Sequence, residues 1–321
     1  MNKTPIRLGV LMDPIEGIKP AKDTTLAMLL EAQSRGYELR YMTQPDLSAR
    51  GGRLATRWRP LEVADDAAHW FSLGDTRDSP AAELDVLMMR KDPPFDMEYI
   101  YTTYLLERAE AEGVLVVNRP AALRDVSEKA YTLWFSELTP PTLVTRSIAD
   151  MRRFLGEHGQ IVVKPLEGMG GRSVFVLKGG DPNIGVAFET LTAHGQRFAM
   201  AQRYVPEIAT GGDKRVLVID GEPWPHVLAR IPAEGESRGN LAAGARGEGR
   251  ELTSRDRAIA ERVGPVLRDK GILFAGLDVI GDYLTEINVT SPTGVREIDR
   301  AFGDNVCARY FDAIERRLGA R

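Results

Sequence analysis

The sequence predicts two structural halves: an N-terminal α/β half with a parallel sheet, and an α+β half with antiparallel strands. Three observations support this fold class. The 321 residues are enough for about two domains of roughly 150 residues each. Up to residue 118, short apolar runs alternate with helix-length segments, which is typical of β-α-β crossovers. From about residue 142, apolar runs are separated by glycine-containing turns, which favours antiparallel strands.

The N-terminal half contains the alternating elements. Residues 24–35, closed by Gly36, and residues 97–112, ending at Gly113, have the pattern of helices with a glycine stop. Residues 46–83 are rich in Arg, Asp and Gly and weakly patterned, so we expect an irregular excursion there. Strands are predicted at residues 8–12, 39–43, 84–89 and 114–118.

The second half begins after Pro120 with a predicted helix over residues 124–138. Another helix is predicted over residues 254–270, just before a strand hairpin at residues 274–289. Asp220 and Gly221 form a dipeptide that commonly connects two hairpin strands. The remaining strands are predicted at residues 142–145, 161–164, 173–177, 200–204, 215–219 and 224–230.

The composition is that of an ordinary globular protein and argues against several functional classes. The 42 Lys and Arg residues are balanced by 46 Asp and Glu, so the net charge of −4 gives no indication of a nucleic-acid partner. No apolar run approaches the ~18 residues that a membrane helix requires. The single cysteine, Cys307, excludes an internal disulfide, and four scattered histidines form no zinc pattern. Residues 1–7 lead straight into a strand, so we expect no signal peptide and a cytoplasmic protein.

A glycine-rich loop follows the predicted strand at residues 161–164. Gly168, Gly170 and Gly171 lie between two strand-like runs, and glycine lets backbone N–H groups approach a polyanion closely. No lysine follows the glycines, so the loop is not a Walker A motif. The pattern predicts a strand–loop–strand cover for phosphates, with a plain hairpin turn as the alternative. Lys164 favours the cover, because a lysine that ends an apolar strand needs a negative partner.

Oxygen-bearing side chains recur on the predicted hairpin at residues 274–289. Glu286 and Asn288 are two residues apart, so on a strand both point to the same face, and such oxygen donors suit Mg²⁺. A three-residue turn would place Asp278 opposite Glu286, whereas a two-residue turn would leave Asp278 facing away. We expect the three-residue register, because it gathers the three oxygen donors. A solvated hairpin face without a metal is the alternative.

Four further basic residues are candidate phosphate contacts. Lys129 lies in a predicted helix, where an ordinary solvated lysine is the alternative. Arg215, Arg230 and Arg238 together could neutralise a developing phosphate, since guanidinium groups match phosphate geometry. Arg238 belongs to a loop over residues 231–249, and a loop of this length predicts an active-site lid or, alternatively, a flexible surface loop.

Polar residues also follow the predicted parallel strands. Arg90, Lys91 and Asp92 come directly after the strand at residues 84–89, and Asp13 follows the first strand. Ligands of α/β folds bind at the carboxyl ends of such strands, although a turn that begins a helix is the alternative.

Cys307 has no neighbouring base and is interpreted as a packing residue.

Several of these segments occur together, in the same order, in one known family. They are Arg-Lys-Asp-Pro-Pro at residues 90–94, the glycine-rich loop at residues 164–171, Ser-Arg-Gly-Asn-Leu-Ala-Ala-Gly at residues 237–244 and Leu-Thr-Glu-Ile-Asn at residues 284–288. In this set the sequence resembles bacterial glutathione synthetase, a member of the ATP-grasp superfamily, from about residue 6 to 318. The second and fourth segments are common to the superfamily, whereas the first and third are much narrower.

The resemblance implies an ATP-grasp fold preceded by a parallel α/β domain. The implied domains are residues 1–122, residues 123–200 with the glycine-rich lid, and residues 201–321 with the metal site and a mobile loop at residues 231–246. The implied activity is glutathione synthase, which joins γ-glutamylcysteine to glycine through an acyl phosphate while ATP becomes ADP and phosphate. The expected partners are these small molecules, without nucleic acid or membrane, and family members are commonly homotetramers.

The resemblance also implies roles for the matching residues. Contacts to ATP are expected from Lys129, Lys164, Glu167, Gly168, Met169, Gly170, Gly171, Gln202, Arg203, Tyr204, Val205 and Asp213. The ligands of Mg²⁺, for which Mn²⁺ can substitute, are expected to be Asp278, Glu286 and Asn288. Substrate contacts are expected from Asp13, Arg90, Lys91, Asp92, Asn240, Ser291 and Thr293. We assign catalysis to Arg215, Arg230 and Arg238.

Two other functions are compatible with parts of the sequence. The nucleotide-binding motifs also fit another ATP-grasp carboxylate-amine ligase, of the D-alanine–D-alanine or glutamate-adding type. A non-catalytic nucleotide-binding module is the second alternative. It predicts missing metal ligands or missing loop arginines, yet Glu286, Asn288, Arg215 and Arg238 are all present.

Overall fold

The structure, a computed structural model, describes residues 4–168, 171–233, 239 and 244–320. In this part of the chain, three β-sheets follow one another along the sequence. The first sheet contains the predicted parallel strands, and the second and third are antiparallel, so the predicted fold class is confirmed. No described helix is long and apolar enough to cross a membrane.

The first sheet has a parallel centre. Its strands are β1 (Arg7–Leu11), β2 (Glu38–Met42), β3 (Leu47–Arg50), β4 (Arg53–Val63), β5 (Phe71–Leu73), β6 (Arg77–Pro80), β7 (Val86–Met89) and β8 (Leu115–Val117). Its helices are α1 (Thr24–Ser34), α2 (Met97–Ala111) and α3 (Pro120–Asp125). β1 pairs in parallel with β2 and β7, and β7 pairs in parallel with β8. The carboxyl ends of β1 and β7 therefore lie side by side.

The expectation of an irregular excursion over residues 46–83 is wrong. This segment forms β3 to β6, and β4 pairs antiparallel with β2, β3, β5 and β6. Along β4, buried Leu54, Thr56 and Trp58 alternate with exposed residues such as Arg53 and Arg57. The Arg-rich composition conceals this period of two, which is the pattern of a half-buried strand.

The predicted helix over residues 124–138 is also wrong. α3 ends at Asp125, and a separate 3₁₀ helix spans Ala130–Phe135. Val126 follows α3 with φ −100° and ψ 81°, which is not helical. Lys129 therefore lies at the start of the 3₁₀ helix and is only 3% exposed, instead of on a solvated helix face.

The second sheet is built around the glycine-rich loop. Its strands are β9 (Thr142–Thr145), β10 (Gln160–Pro165), β11 (Phe175–Lys178) and β12 (Ala199–Arg203). Its helices are α4 (Ile148–His158) and α5 (Ile184–Thr192). The order across the sheet is β11-β10-β12-β9, all antiparallel. β10 and β11 are adjacent strands joined by the loop, so the predicted strand–loop–strand arrangement is confirmed.

The third sheet carries the predicted hairpins. Its elements are α6 (Ile208–Gly211), β13 (Asp213–Ile219), β14 (Glu222–Ile231), β15 (Arg246–Glu251), α7 (Ser254–Asp269), β16 (Phe274–Ile280), β17 (Tyr283–Asn288), α8 (Val295–Phe302) and α9 (Val306–Gly319). β13 and β14 join through Asp220 and Gly221, both with positive φ, as the dipeptide predicts. The strand order is β15-β14-β13-β16-β17. Because β15 begins at Arg246, the connection after β14 is shorter than the predicted loop over residues 231–249.

One side chain joins the first sheet to the third. Asn118, directly after β8, accepts hydrogen bonds from the N–H groups of Leu273 and Phe274 at 2.8 and 3.0 Å. Its Nδ2 donates to the carbonyl oxygens of Phe274 and Val289 at 2.8 and 2.7 Å. The start of β16 and the end of β17 are therefore fixed against the end of a parallel strand.

Candidate active site

A cavity of about 360 Å³ lies between the second and third sheets, with Asp92 and Pro93 at its edge. Most of the predicted site residues line it. They are Asp92, Lys129, Lys164, Gly168, Gly171, Gln202, Arg203, Tyr204, Val205, Asp213, Arg215, Arg230, Asp278, Glu286, Asn288, Ser291 and Thr293. The sheets therefore bring together residues that are more than 200 positions apart in the sequence.

Some predicted residues lie elsewhere. Asp13, Arg90, Lys91 and Glu167 are described but do not line the cavity. Glu167 is exposed on the glycine-rich loop. Met169, Gly170, Arg238 and Asn240 lie outside the described residues.

Two lysines converge on one carboxylate in the cavity. Lys164 Nζ, on β10, lies 3.2 Å from Glu286 Oε1 on β17, and Lys129 Nζ lies 3.9 Å from the same oxygen. Lys129 also pairs with Glu128 and donates to the Gly168 carbonyl at 3.0 Å. Although burial opposes ionisation, the two ammonium groups hold the pKa of Glu286 below its usual value. A polyanion fits beside the two ammonium groups, and a cation bound to that polyanion fits beside the Glu286 carboxylate.

Asp278 faces Glu286, but by a different route from the one predicted. Ile280 pairs with Tyr283, so the turn between β16 and β17 has two residues, and the expected three-residue turn is wrong. The register then shifts between Asp278 and Val279, which places Asp278 opposite Glu286. A β-bulge at Thr285 supplies the extra residue in place of a longer turn. The predicted pairing of the two carboxylates is therefore confirmed.

Buried arginines compensate the buried aspartates of the third sheet. Arg215 Nε lies 2.7 Å from Asp278 Oδ1, and Arg230 Nη2 lies 2.9 Å from Asp278 Oδ2 and 2.7 Å from Asp213 Oδ2. Burial opposes ionisation of Asp278, but the two guanidinium groups lower its pKa to about 2. Burial raises the pKa of Asp213 to about 6 against the opposing charge of Arg230. Arg215 and Arg230 are thus held in fixed positions beside the cavity.

Gly239 lies in the connection between β14 and β15. A Cβ at this position would lie 2.5 Å from the Cβ of Asp213 and 3.0 Å from the carbonyl oxygen of Arg230. The backbone therefore approaches the aspartate–arginine pair more closely than any residue other than glycine allows.

Part of the cavity wall is apolar. It is formed by Val162, Val176, Val205 and Ile280. Gln202 is buried there, with its Nε2 donating to Thr142 Oγ1 at 3.0 Å. An apolar slot beside a polar strand end suits a flat heteroaromatic ring, because the faces of the ring pack on valine side chains.

The edge of the cavity nearest the first sheet is polar. Lys91 Nζ lies 2.9 Å from Asp13 Oδ1, and the Asp92 N–H donates to Asp13 Oδ2 at 3.0 Å. Ser291 Oγ donates to the Asp92 carboxylate. Arg90 is only 6% exposed, and it donates to Thr25 Oγ1 and the Pro292 carbonyl, so it fixes the position of the segment after β17.

The donor set on β17 fits a hard divalent cation. Glu286 is ionised, and Asn288, two residues further along the strand, lines the same cavity with its side-chain amide. Carboxylate and amide oxygens are the ligands that Mg²⁺ takes from proteins. Asp278 is less suited as a ligand of the cation, since both of its carboxylate oxygens face arginine side chains.

Two features of the site were not predicted. Glu128 lines the cavity and pairs with Lys129, and burial raises the pKa of Glu128 above its usual value. The only sequence signal was its position next to Lys129. The bulge at Thr285 was missed because no glycine or proline marks it.

Comparisons with known proteins agree over nearly the whole chain. The family model described as "Prokaryotic glutathione synthetase, N-terminal domain" matches residues 6–124. The model described as "Prokaryotic glutathione synthetase, ATP-grasp domain" matches residues 128–303. Glutathione synthetase from Pseudomonas putida is 59% identical over 316 residues, 98% of this chain and 99% of the relative. The Escherichia coli K12 enzyme is 57% identical over 313 residues, again 98% and 99%.

Solved structures share the fold at low identity. The crystal structure of D-cycloserine synthetase DcsG has a TM-score of 0.67 at 16% identity, covering 97% of this chain and 99% of that one. D-alanyl-alanine synthetase A from Vibrio cholerae has a TM-score of 0.61 at 14% identity, covering 99% and 100%. These similarities show the fold alone.

Proposed function

This chain belongs to the prokaryotic glutathione synthetase family. From this membership we propose that γ-glutamylcysteine is joined to glycine in the cavity between the second and third sheets. The chain is an ATP-dependent carboxylate-amine ligase, a glutathione synthase of the ATP-grasp type. What we propose is where each substrate binds and what each residue does.

The observation that carries the proposal is the convergence of Lys129 and Lys164 on Glu286. Two lysine ammonium groups beside one carboxylate complement a triphosphate that is bound together with a divalent cation. We propose that the adenine ring lies in the apolar slot, with Gln202, Arg203, Tyr204 and Val205 along its edge. Glu167, Gly168, Met169, Gly170 and Gly171 would then cover the phosphates, and Asp213 would face the nucleotide.

A divalent cation accompanies ATP in this superfamily, and we propose Mg²⁺, with Mn²⁺ as a substitute. Glu286 and Asn288 would hold it, with Asp278 beside them. When bound, the cation supplies positive charge to the phosphate oxygens during transfer.

The reaction follows from the charges in the cavity. A carboxylate is a poor acyl donor, so the cysteinyl carboxylate of γ-glutamylcysteine first accepts the γ-phosphoryl group of ATP. Lys129 and Lys164 hold the phosphates in line with the carboxylate, which makes catalysis mainly a matter of positioning and electrostatics. The amine of glycine then attacks the acyl phosphate, and phosphate leaves. We propose that Arg215, Arg230 and Arg238 stabilise the oxyanion and the departing phosphate.

We further propose that Asp13, Arg90, Lys91, Asp92, Asn240, Ser291 and Thr293 surround the peptide substrates. Asp92 and Ser291 line the cavity, while Asp13 and Lys91 fix Asp92 through the contacts described above.

We also propose domain boundaries at residues 122/123 and 200/201, a cytoplasmic location and a homotetrameric assembly.

Phosphate release tests the proposal directly. Purified enzyme with MgATP should release phosphate in the presence of γ-glutamylcysteine and glycine together, and far less with nucleotide alone. D-Alanine in place of both substrates should give only the nucleotide-alone rate. Equal rates with and without γ-glutamylcysteine would contradict the assignment of the cavity to this ligation.

A further inference from the structure

Glu128 lies in the wall of the cavity, and the proposed reaction gives it no role. Its side chain is 21% exposed and pairs with Lys129, whose side chain is 4% exposed. Burial of a charged group costs free energy unless the group is paired. The charge of Glu128 is therefore compensated by a lysine that we assign to the phosphates of ATP.

The backbone of Glu128 is attached to the strand that carries the proposed cation ligands. Its carbonyl oxygen accepts a hydrogen bond from the Ile287 N–H at 2.8 Å. Ile287 lies between Glu286 and Asn288 on β17, the edge strand of the third sheet. Residue 128 is thus fixed beside both proposed ligands, and this attachment does not depend on the glutamate side chain.

Lys129 lies between two carboxylates. Its Nζ contacts the Glu128 carboxylate and lies 3.9 Å from Glu286 Oε1. The same Nζ donates to the Gly168 carbonyl at 3.0 Å, while Lys164 Nζ lies 3.2 Å from Glu286 Oε1. Because Glu128 is its closer partner, Lys129 is held away from a tight ion pair with Glu286.

We propose that Glu128 is a positioning residue, which holds Lys129 and thereby keeps the Glu286 carboxylate available to the divalent cation that accompanies ATP. The proposal rests on the nucleotide and cation site proposed above. Mg²⁺ takes carboxylate oxygens as ligands, and an ammonium group bound to the same oxygen competes with it. Glu128 supplies no ligand of its own and acts through Lys129.

The balance of charge supports this role. The two lysines, Lys129 and Lys164, face two carboxylates, Glu128 and Glu286, so the four groups balance one another. Without the Glu128 charge, one positive charge is in excess, and the next carboxylate for Lys129 in the described part of the chain is Glu286. A positive excess within a few Å repels a divalent cation. Loss of the Glu128 charge should therefore weaken cation binding more than nucleotide binding.

The test measures how much Mg²⁺ strengthens nucleotide binding. Isothermal titration calorimetry of the full chain with a non-hydrolysable ATP analogue, in EDTA and in excess Mg²⁺, gives the ratio of the two dissociation constants. Glu128→Gln keeps the side-chain volume and the backbone bond to Ile287, and it should lower this ratio about tenfold or more. Glu128→Asp keeps the charge and should retain the ratio within about threefold. Glu157→Gln, at an exposed position on α4, is the matched control and should behave like wild type.

Steady-state phosphate release provides the corresponding kinetic comparison. In Glu128→Gln, the Mg²⁺ concentration that gives half-maximal rate should rise about tenfold, whereas kcat at saturating Mg²⁺ should change less than about threefold. A loss confined to kcat would overturn the proposal. Thermal unfolding of each variant checks that it is folded.

The calorimetric outcomes separate this proposal from the proposed function. Equal weakening of nucleotide binding in Mg²⁺ and in EDTA leaves the ratio unchanged, and this result, which a merely structural role predicts, would overturn the proposal. A wild type that does not bind the analogue would overturn the nucleotide site itself, on which the proposal rests.

A second variant shows whether Glu128 acts through Lys129. Lys129→Gln removes the ammonium group that Glu128 is proposed to hold. In this background, Glu128→Gln should lower the ratio by less than about threefold, because no lysine is released towards Glu286. An equally large effect of Glu128→Gln in both backgrounds would show that Glu128 acts on the cation without Lys129, and would overturn the positioning role.

Discussion

Asp278 and Glu286 lie opposite each other across β16 and β17 because Thr285 is an extra residue between them. Thr285 Oγ1 donates to the Asp278 carbonyl at 3.1 Å, and the Thr285 carbonyl accepts a hydrogen bond from Lys164 Nζ at 3.4 Å. The bulge therefore positions the carboxylate that faces the proposed cation and the lysine that faces the proposed phosphates.

Thr285→Val should weaken this arrangement without changing side-chain volume much. Loss of one net hydrogen bond costs about 1 kcal/mol of unfolding free energy, and the less constrained bulge should lower kcat severalfold. Thr285→Ser keeps the hydroxyl and should retain most of both quantities. Chemical denaturation and steady-state kinetics measure them, and wild-type values for Thr285→Val would refute a positioning role of the hydroxyl.

Lys164→Met should lower turnover roughly 10²–10³-fold, the range typical of losing one preorganised contact to a developing charge. The methionine retains the apolar stem but removes the ammonium group beside Glu286. Lys178→Met, an exposed lysine on β11 of the same sheet, is the matched control and should behave like wild type. A Lys164→Met enzyme within twofold of wild-type kcat would exclude a phosphate role for Lys164.

Asn118→Ala should destabilise the fold strongly. Its amide is bonded to two N–H groups and two carbonyl oxygens of the third sheet, and each buried group left unsatisfied costs roughly 1–3 kcal/mol. We expect a loss of about 3 kcal/mol or more in chemical denaturation. Asn183→Ala, at an exposed position without a side-chain cap, should change stability by less than about 0.5 kcal/mol. Similar losses for the two variants would contradict the joining role of Asn118.

Asp278→Asn should cost stability in a pH-dependent way. Removing one member of a buried ion-pair network costs about 3–5 kcal/mol near neutral pH, because Arg215 and Arg230 lose a counter-charge. The pKa of Asp278 is lowered to about 2 from 3.8, so its ionisation stabilises the fold above pH 4. This contribution is lost as the pH falls from about 4 towards 2.

The difference in unfolding free energy between wild type and Asp278→Asn should therefore shrink as the pH falls below 4. Urea denaturation at several pH values measures it. Asp150→Asn, which removes an exposed pair with Arg153, is the control and should cost less than about 0.5 kcal/mol. A difference that grew as the pH fell from 4 towards 2 would show that Asp278 is not held ionised by its arginines.

Local patterns in the sequence were sufficient for most strands and for part of the site, whereas Gln202, Arg203, Tyr204, Val205, Asp213, Ser291 and Thr293 were expected only from the family resemblance. The alternating elements of the first half, the strand–loop–strand at Lys164 and the same-face spacing of Glu286 and Asn288 depend on neighbouring residues, which the sequence displays directly. The family resemblance then indicated the activity.

Features that depend on distant contacts were not predictable in this way. β4 was missed because its exposed positions carry arginines, and its pairing partners lie on both sides of it in the sequence. The pairing of Asp278 with Arg215 and Arg230 spans three strands, and no local pattern reports it. The bulge at Thr285 depends on the hydrogen bonds between β16 and β17 rather than on residue type.

The central claim is that the cysteinyl carboxylate of γ-glutamylcysteine is phosphorylated by ATP in the cavity between the second and third sheets. The most direct test uses γ-glutamylcysteine with ¹⁸O in both oxygens of that carboxylate, together with glycine and MgATP. We predict that mass spectrometry finds one ¹⁸O in the released phosphate and one in the new peptide carbonyl. Unlabelled phosphate, with glutathione still formed, would contradict an acyl phosphate and with it the proposed mechanism.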